Sequence, residues 1–145
     1  MRNIFKVLLL VSALIALPFT VTSQDTQDSN KYALVLNDEE PISVSFENYA
    51  KLDKEFEPKK EKQVTNTFVF YETHIVHIDK RGKEHPYKVL NFDMILTPSG
   101  FMYRVHTEYK GKNYIIGIEA ASFGYMLLYE YDVKKEKVKS AKVFY

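Results

Sequence analysis

The chain of 145 residues has no cysteine and no tryptophan, and only five glycines and five prolines. Without cysteine no disulfide can staple the fold, and no thiolate can bind a metal or attack a substrate. Packing alone must hold the domain together. An excess of one charge is missing too: 20 Lys and Arg stand against 19 Asp and Glu. That balance builds no polyanion-binding surface, so nucleic acid is not expected as a partner. There is no Gly-rich phosphate loop, no Gly-x-Ser-x-Gly elbow and no His-Glu-x-x-His pair. An enzyme is not expected, and no cofactor is required.

Long apolar runs are also scarce, with one exception. Val7 to Phe19 is nearly unbroken, follows Arg2 and Lys6, and leads to Val21-Thr22-Ser23. Charge, apolar core and small residues in that order describe a secretory signal peptide over residues 1–23, cleaved near Ser23. Thirteen apolar residues fall short of the roughly 20 that span a bilayer. The expectation is a secreted or periplasmic protein of a bacterial envelope, without stable membrane insertion after cleavage. Loss of Arg2 and Lys6 leaves 18 basic against 19 acidic residues.

What the chain does contain is Val, Ile, Phe, Tyr and Thr, interrupted by turn signals. Residues 24–40 read as a flexible segment, with a short strand at Tyr32 to Leu36, and 41–145 as one antiparallel β domain. Tyr49, Leu52 and Phe56 fit one face of a short helix over Phe46–Phe56, capped by Ser45 and ended by Pro58. From Val64 onward, turns recur every nine to twelve residues, which predicts strands near 64–71, 73–79, 84–91, 93–97, 101–109, 113–121, 124–133 and 138–144. The fold class is mainly all-β: an antiparallel meander forming a curved sheet or partial barrel.

Strand side chains alternate faces, so each hairpin converts into geometry. A two-residue loop at Gly111-Lys112 sets Tyr109 against Tyr114 and Val105 against Ile118. A turn at Ser122-Phe123 sets Ile118 against Leu127, and one through Lys134 to Lys137 sets Leu127 against Phe144. One face then gathers Val105, Ile116, Ile118, Leu127 and Phe144 as core. Tyr103, Tyr109, Tyr114, Tyr125, Tyr129 and Tyr131 surround them as a candidate ligand-binding surface. The opposite face gathers Ile115, Met126, Leu128 and Val143, a candidate partner surface unless Phe46–Phe56 covers it. On that face His106 joins Arg104, Glu108 and Glu119, while Asp93 stands isolated.

His74 and His77 resemble half of a metal site, but in a strand they point to opposite faces. A three-residue loop Lys80-Arg81-Gly82 instead opposes Asp79 to Lys83 and His77 to His85, with Asp79 on the histidines' face. His77, His85 and Asp79 are weak candidates for a metal; solvated hairpin histidines are the blander reading, and no metal is assigned.

The succession of strands from Val64 resembles calycin-type meanders such as the lipocalins. No Gly-x-Trp signature accompanies it, so the resemblance is one of strand layout. The tyrosine-lined concave face points to a binding module holding a small amphipathic ligand or glycan. The alternative is a protein-interaction or inhibitor domain acting through an edge strand or the outer apolar patch. An outer-membrane barrel fits poorly, because eight spanning strands would consume nearly the whole mature chain and put charges toward lipid.

Overall fold

The computed structural model describes residues 38–98, 100–119 and 123–145. The signal segment, the strand expected at Tyr32 to Leu36 and most of the flexible segment lie outside the described residues. Eight strands follow one another: β1 Ile42–Leu52, β2 Pro58–Phe70, β3 His74–Ile78, β4 Glu84–Thr97, β5 Gly100–Tyr109, β6 Lys112–Glu119, β7 Met126–Asp132 and β8 Lys137–Phe144. Each pairs antiparallel with the next, and β1 also pairs with β8, so the meander closes into a barrel. Among the described residues there is no helix.

Three of the four turns at one end of the barrel are organised by an aspartate at the end of a strand. Asp53 Oδ1 accepts from the amides of Glu55 and Glu57, Asp79 Oδ1 from Arg81 and Lys83, and Asp132 Oδ1 from Lys134 and Lys135. A short carboxylate folding back on its own loop is a common way to nucleate a turn. The fourth turn, Lys110-Gly111, has φ of 52° and 71°, the left-handed pair of a two-residue hairpin whose twist matches its strands. At the β3–β4 turn, Gly82 sits at φ 73° with open space around the position a Cβ would take. Gly82→Ala is therefore expected to cost about 1 kcal/mol through backbone strain alone. The measurement is a urea midpoint; an unchanged midpoint would show that the turn tolerates another conformation.

Two apolar clusters sit on opposite faces of the sheet. The interior one draws on all eight strands, with Phe46, Phe68, Phe70, Ile75, Ile116, Ile118 and Phe144 almost fully buried. Each such side chain contributes roughly 1.5–3 kcal/mol relative to exposure. The second cluster lies on the outer face of β5–β8 and the end of β1, and includes Met102, Ile115, Leu127, Tyr129 and Val143.

Several registers differ from the sequence expectation. The helix expected over Phe46–Phe56 is β1, and Pro58 opens β2 opposite Leu52 instead of ending a helix. A register shift between Phe46 and Asn48 lets Phe46 and Tyr49, three residues apart, both pack against the interior. A bulge thus imitates helical spacing. Residues 84–91 and 93–97 are one strand, β4, with a shift between Val89 and Asn91.

The β5–β6 loop is Lys110-Gly111, so Val105 faces Ile116 and Tyr109 faces Lys112, two residues from the expected register. A slip of two preserves every face. The β6–β7 pairing sets Ile118 against Met126, one residue from expectation, and a slip of one exchanges faces. Met126 and Leu128 are therefore inside, while Tyr125, Leu127, Tyr129 and Tyr131 are outside. At β7–β8 a second one-residue difference, with Met126 opposite Phe144, cancels the first. Phe144 stays inside and Val143 outside, as expected.

Candidate functional site

The barrel's interior is filled midway by aromatic rings. Phe68 meets Phe144 edge-on at 5.0 Å between centroids, and Phe46 meets Phe68 at 6.2 Å. Above this plug, toward the aspartate turns, the barrel opens into a pocket of about 410 Å³. Phe144, Tyr49 and Tyr87 supply ring surface, Asn66, His77, His85 and Tyr109 supply polar atoms, and Asp79, Lys80 and Lys142 supply charge.

The β3–β4 turn positions the two histidines. Asp79 N donates to Lys83 O at 3.0 Å and Gly82 N to Asp79 O at 2.8 Å, which makes the loop Lys80-Arg81-Gly82. His77 then lies directly opposite His85, their rings 5.5 Å apart. This arrangement is the one the strand parity implied, and His74 does point away, stacking on Tyr71 at 4.4 Å.

Hydrogen bonds assign the tautomers. Asn66 Nδ2 donates to Val64 O, so Asn66 Oδ1 is left to accept, and His77 Nε2–H donates to it at 2.9 Å. His77 is only 8 % exposed and stacks on Phe68 at 4.4 Å with nearly parallel rings. Burial, with His85 and Lys142 nearby, pushes its pKa down to about 4, so it is neutral at pH 7 and offers Nδ1 as an acceptor. His85 Nε2–H donates to Asp79 Oδ2 at 3.1 Å, and its Nδ1 lies 3.0 Å from Tyr109 Oη. The hydrogen bond from His85, followed by those from the turn amides, holds the Asp79 carboxyl down to about 2. Tyr109 Oη, held by His85, keeps a lone pair with which it can accept from the pocket.

The same bonds engage three of the four ring nitrogens of this pair, leaving His77 Nδ1. His77 Nε2 is committed to Asn66 and His85 to Asp79 and Tyr109. Among the described residues no group of three or more His, Cys, Asp or Glu side chains is placed to hold a metal ion.

The six candidate tyrosines do not share one surface. Tyr103, Tyr109 and Tyr114 pack with the interior, and Tyr125, Tyr129 and Tyr131 with the outer cluster. Only Tyr109 lines the mouth pocket; Tyr114 and Tyr131 border a second cavity of about 280 Å³, with Leu90, Ile115 and Val133. Of the four candidate partner residues, Ile115 and Val143 are outside, whereas Met126 and Leu128 are inside. On the outer face Asp93 is not isolated: its carboxylate takes Arg104 Nε at 2.8 Å and Nη2 at 2.6 Å, with His106 Nε2 at 4.0 Å. Arg104 lies opposite Gly117, and Glu119 lies opposite Met102.

Tyr49, Asn66, Tyr87 and Lys142 escaped the sequence reading. A faint signal existed for three of them, since each stands two residues from an inward residue: Asn66 before Phe68, Tyr87 after His85, Lys142 before Phe144. Tyr49 carried none, because the register shift hides its parity. The fold and the pocket together define a closed eight-stranded antiparallel barrel, plugged by aromatic rings and open at a polar mouth. No family model, curated protein or solved structure matches the chain.

Proposed function

We propose that this protein is a non-enzymatic binding module, exported from a bacterial cell, that holds a small amphipathic ligand or glycan in the mouth of the barrel. The observation that carries this reading is the 410 Å³ pocket floored by Phe144 and ringed by hydrogen-bonding groups. Ring surface below and polar atoms around it are what a small ligand site needs. The aromatic plug of Phe46, Phe68 and Phe144 sets the floor of the mouth. Export rests on residues 1–23. A water-facing barrel is supported by its apolar interior and by Glu84 and Lys88, exposed on the outer side of β4.

The test is calorimetric titration of the mature chain with a panel of nitrophenyl glycosides, which combine a ring with hydroxyls. One site per chain is expected, weakened about tenfold or more by Tyr49→Ala, which removes ring surface beside Phe144. Absence of saturable binding across the panel and of D-glucuronate would overturn the reading. The protein-partner alternative has less support. Its four-residue patch is divided between two faces, and β1 is paired on both sides from Tyr49 to Leu52.

A further inference from the structure

Lys142 is the unusual member of the mouth. It belongs to β8 opposite Leu128, an inward position, and its side chain lines the pocket beside His77 and Phe144. Lys59, Lys112 and Lys139 each reach a carboxylate. The Lys142 ammonium makes neither an ion pair nor a hydrogen bond among the described residues. An amine partly withdrawn from water with no counter-charge costs stability, and a bound anion offsets that cost.

The acids near it do not serve. Asp79 Oδ2 is occupied by His85, and its Oδ1 by two turn amides. Glu130, inward on β7 opposite Tyr114, is engaged by Lys112 at 3.2 Å and Lys139 at 4.0 Å. Lys80, in the pocket lining, and Lys51, the Cα partner of Lys142 across the β1–β8 seam, add positive potential. Burial, then Lys51, lowers the Lys142 pKa, as expected for an amine lacking an anion. Beyond the charged groups, His77 Nδ1 and Tyr109 Oη can accept, and the Tyr49 and Tyr87 hydroxyls can donate or accept.

We infer that the mouth pocket takes a small hydroxylated carboxylate, a sugar acid in chemical class, with Lys142 Nζ anchoring the carboxylate. The ligand's hydroxyls then donate to Tyr109 Oη and His77 Nδ1, while its apolar ring face lies on Tyr49 and Phe144. This inference rests on the binding-module reading and narrows it.

The probes are D-glucuronate, D-glucose and a nitrophenyl glucoside, titrated calorimetrically into the mature chain. Wild type is expected to bind glucuronate about tenfold or more tightly than glucose. Lys142→Met is expected to erase that preference, whereas Lys142→Arg should keep it; a cooperative thermal melt verifies that each variant is folded. The wild-type preference is read without any substitution, so a variant that fails to fold does not remove the test. Equal binding of glucuronate and glucose by wild type overturns the inference, as does a folded Lys142→Met that retains the preference. Binding of the nitrophenyl glucoside alone overturns the sugar-acid assignment and leaves the binding module standing. Silence from all three probes removes both.

Discussion

Replacing Phe68 by Ala is expected to lower the unfolding free energy by about 3–5 kcal/mol, the range for deleting a fully buried aromatic ring. Phe68 has no exposed surface. Its ring is the hub of the plug, touching Phe46, Phe144 and His77. Removing it opens a cavity at the barrel's centre and withdraws the surface on which His77 is stacked. A domain without disulfides has a margin of only about 5–15 kcal/mol, so much of it disappears with one side chain. Leu96→Ala is the control: Leu96 is 68 % exposed, and its truncation is expected within about 0.5 kcal/mol of wild type. Urea unfolding followed by far-ultraviolet dichroism measures both. Similar losses for the two variants would mean that the interior is not packed around Phe68.

Acid should destabilise the protein through His77 by about 3 kcal/mol, the integral of a pKa moving from 6.5 to about 4. The unfolded chain takes up this proton near pH 6.5 and the folded chain only near pH 4. Between those values the unfolded state holds more protons, so stability falls as pH falls, and His77 adds no further loss below about 4. Burial lowers the His106 pKa as well and acts in the same direction. Asp79 acts in a separate window: its stabilisation is complete above the ordinary carboxylate range and is lost as pH falls toward 2. Comparing wild type with His77→Gln isolates the first effect, because glutamine can still donate toward Asn66 but does not titrate. The two stability curves should converge from pH 6.5 down to 4. Curves that stay parallel across that window would show that His77 is not held neutral by the fold.

Legibility varied with how local the information was. The turn Asp79–Lys83 writes its geometry into five residues, through a carboxylate that binds its own loop amides and a glycine able to take positive φ. That is why His77 facing His85 could be read from the chain. The β6–β7 connection offers no such constraint. One residue of uncertainty there moved Tyr125, Tyr129 and Tyr131 from one face to the other and brought Met126 and Leu128 inside. Val143 and Phe144 kept their faces only because the next hairpin differed by one residue again.

Sequence alone determined the all-β antiparallel meander and the pairing of histidines, because the period of two and turn chemistry act over a few residues. Tertiary structure alone decided that the meander closes, through Tyr49–Leu52 on β1 meeting Ala141–Phe144 on β8. It also decided that Phe46–Leu52 is strand and that the pocket sits at the mouth above an aromatic plug. Closure draws its energy from residues some ninety positions apart. Lys142 joins Tyr49, Asn66 and His77 only when β1 and β8 share an edge, and no local pattern encodes that meeting.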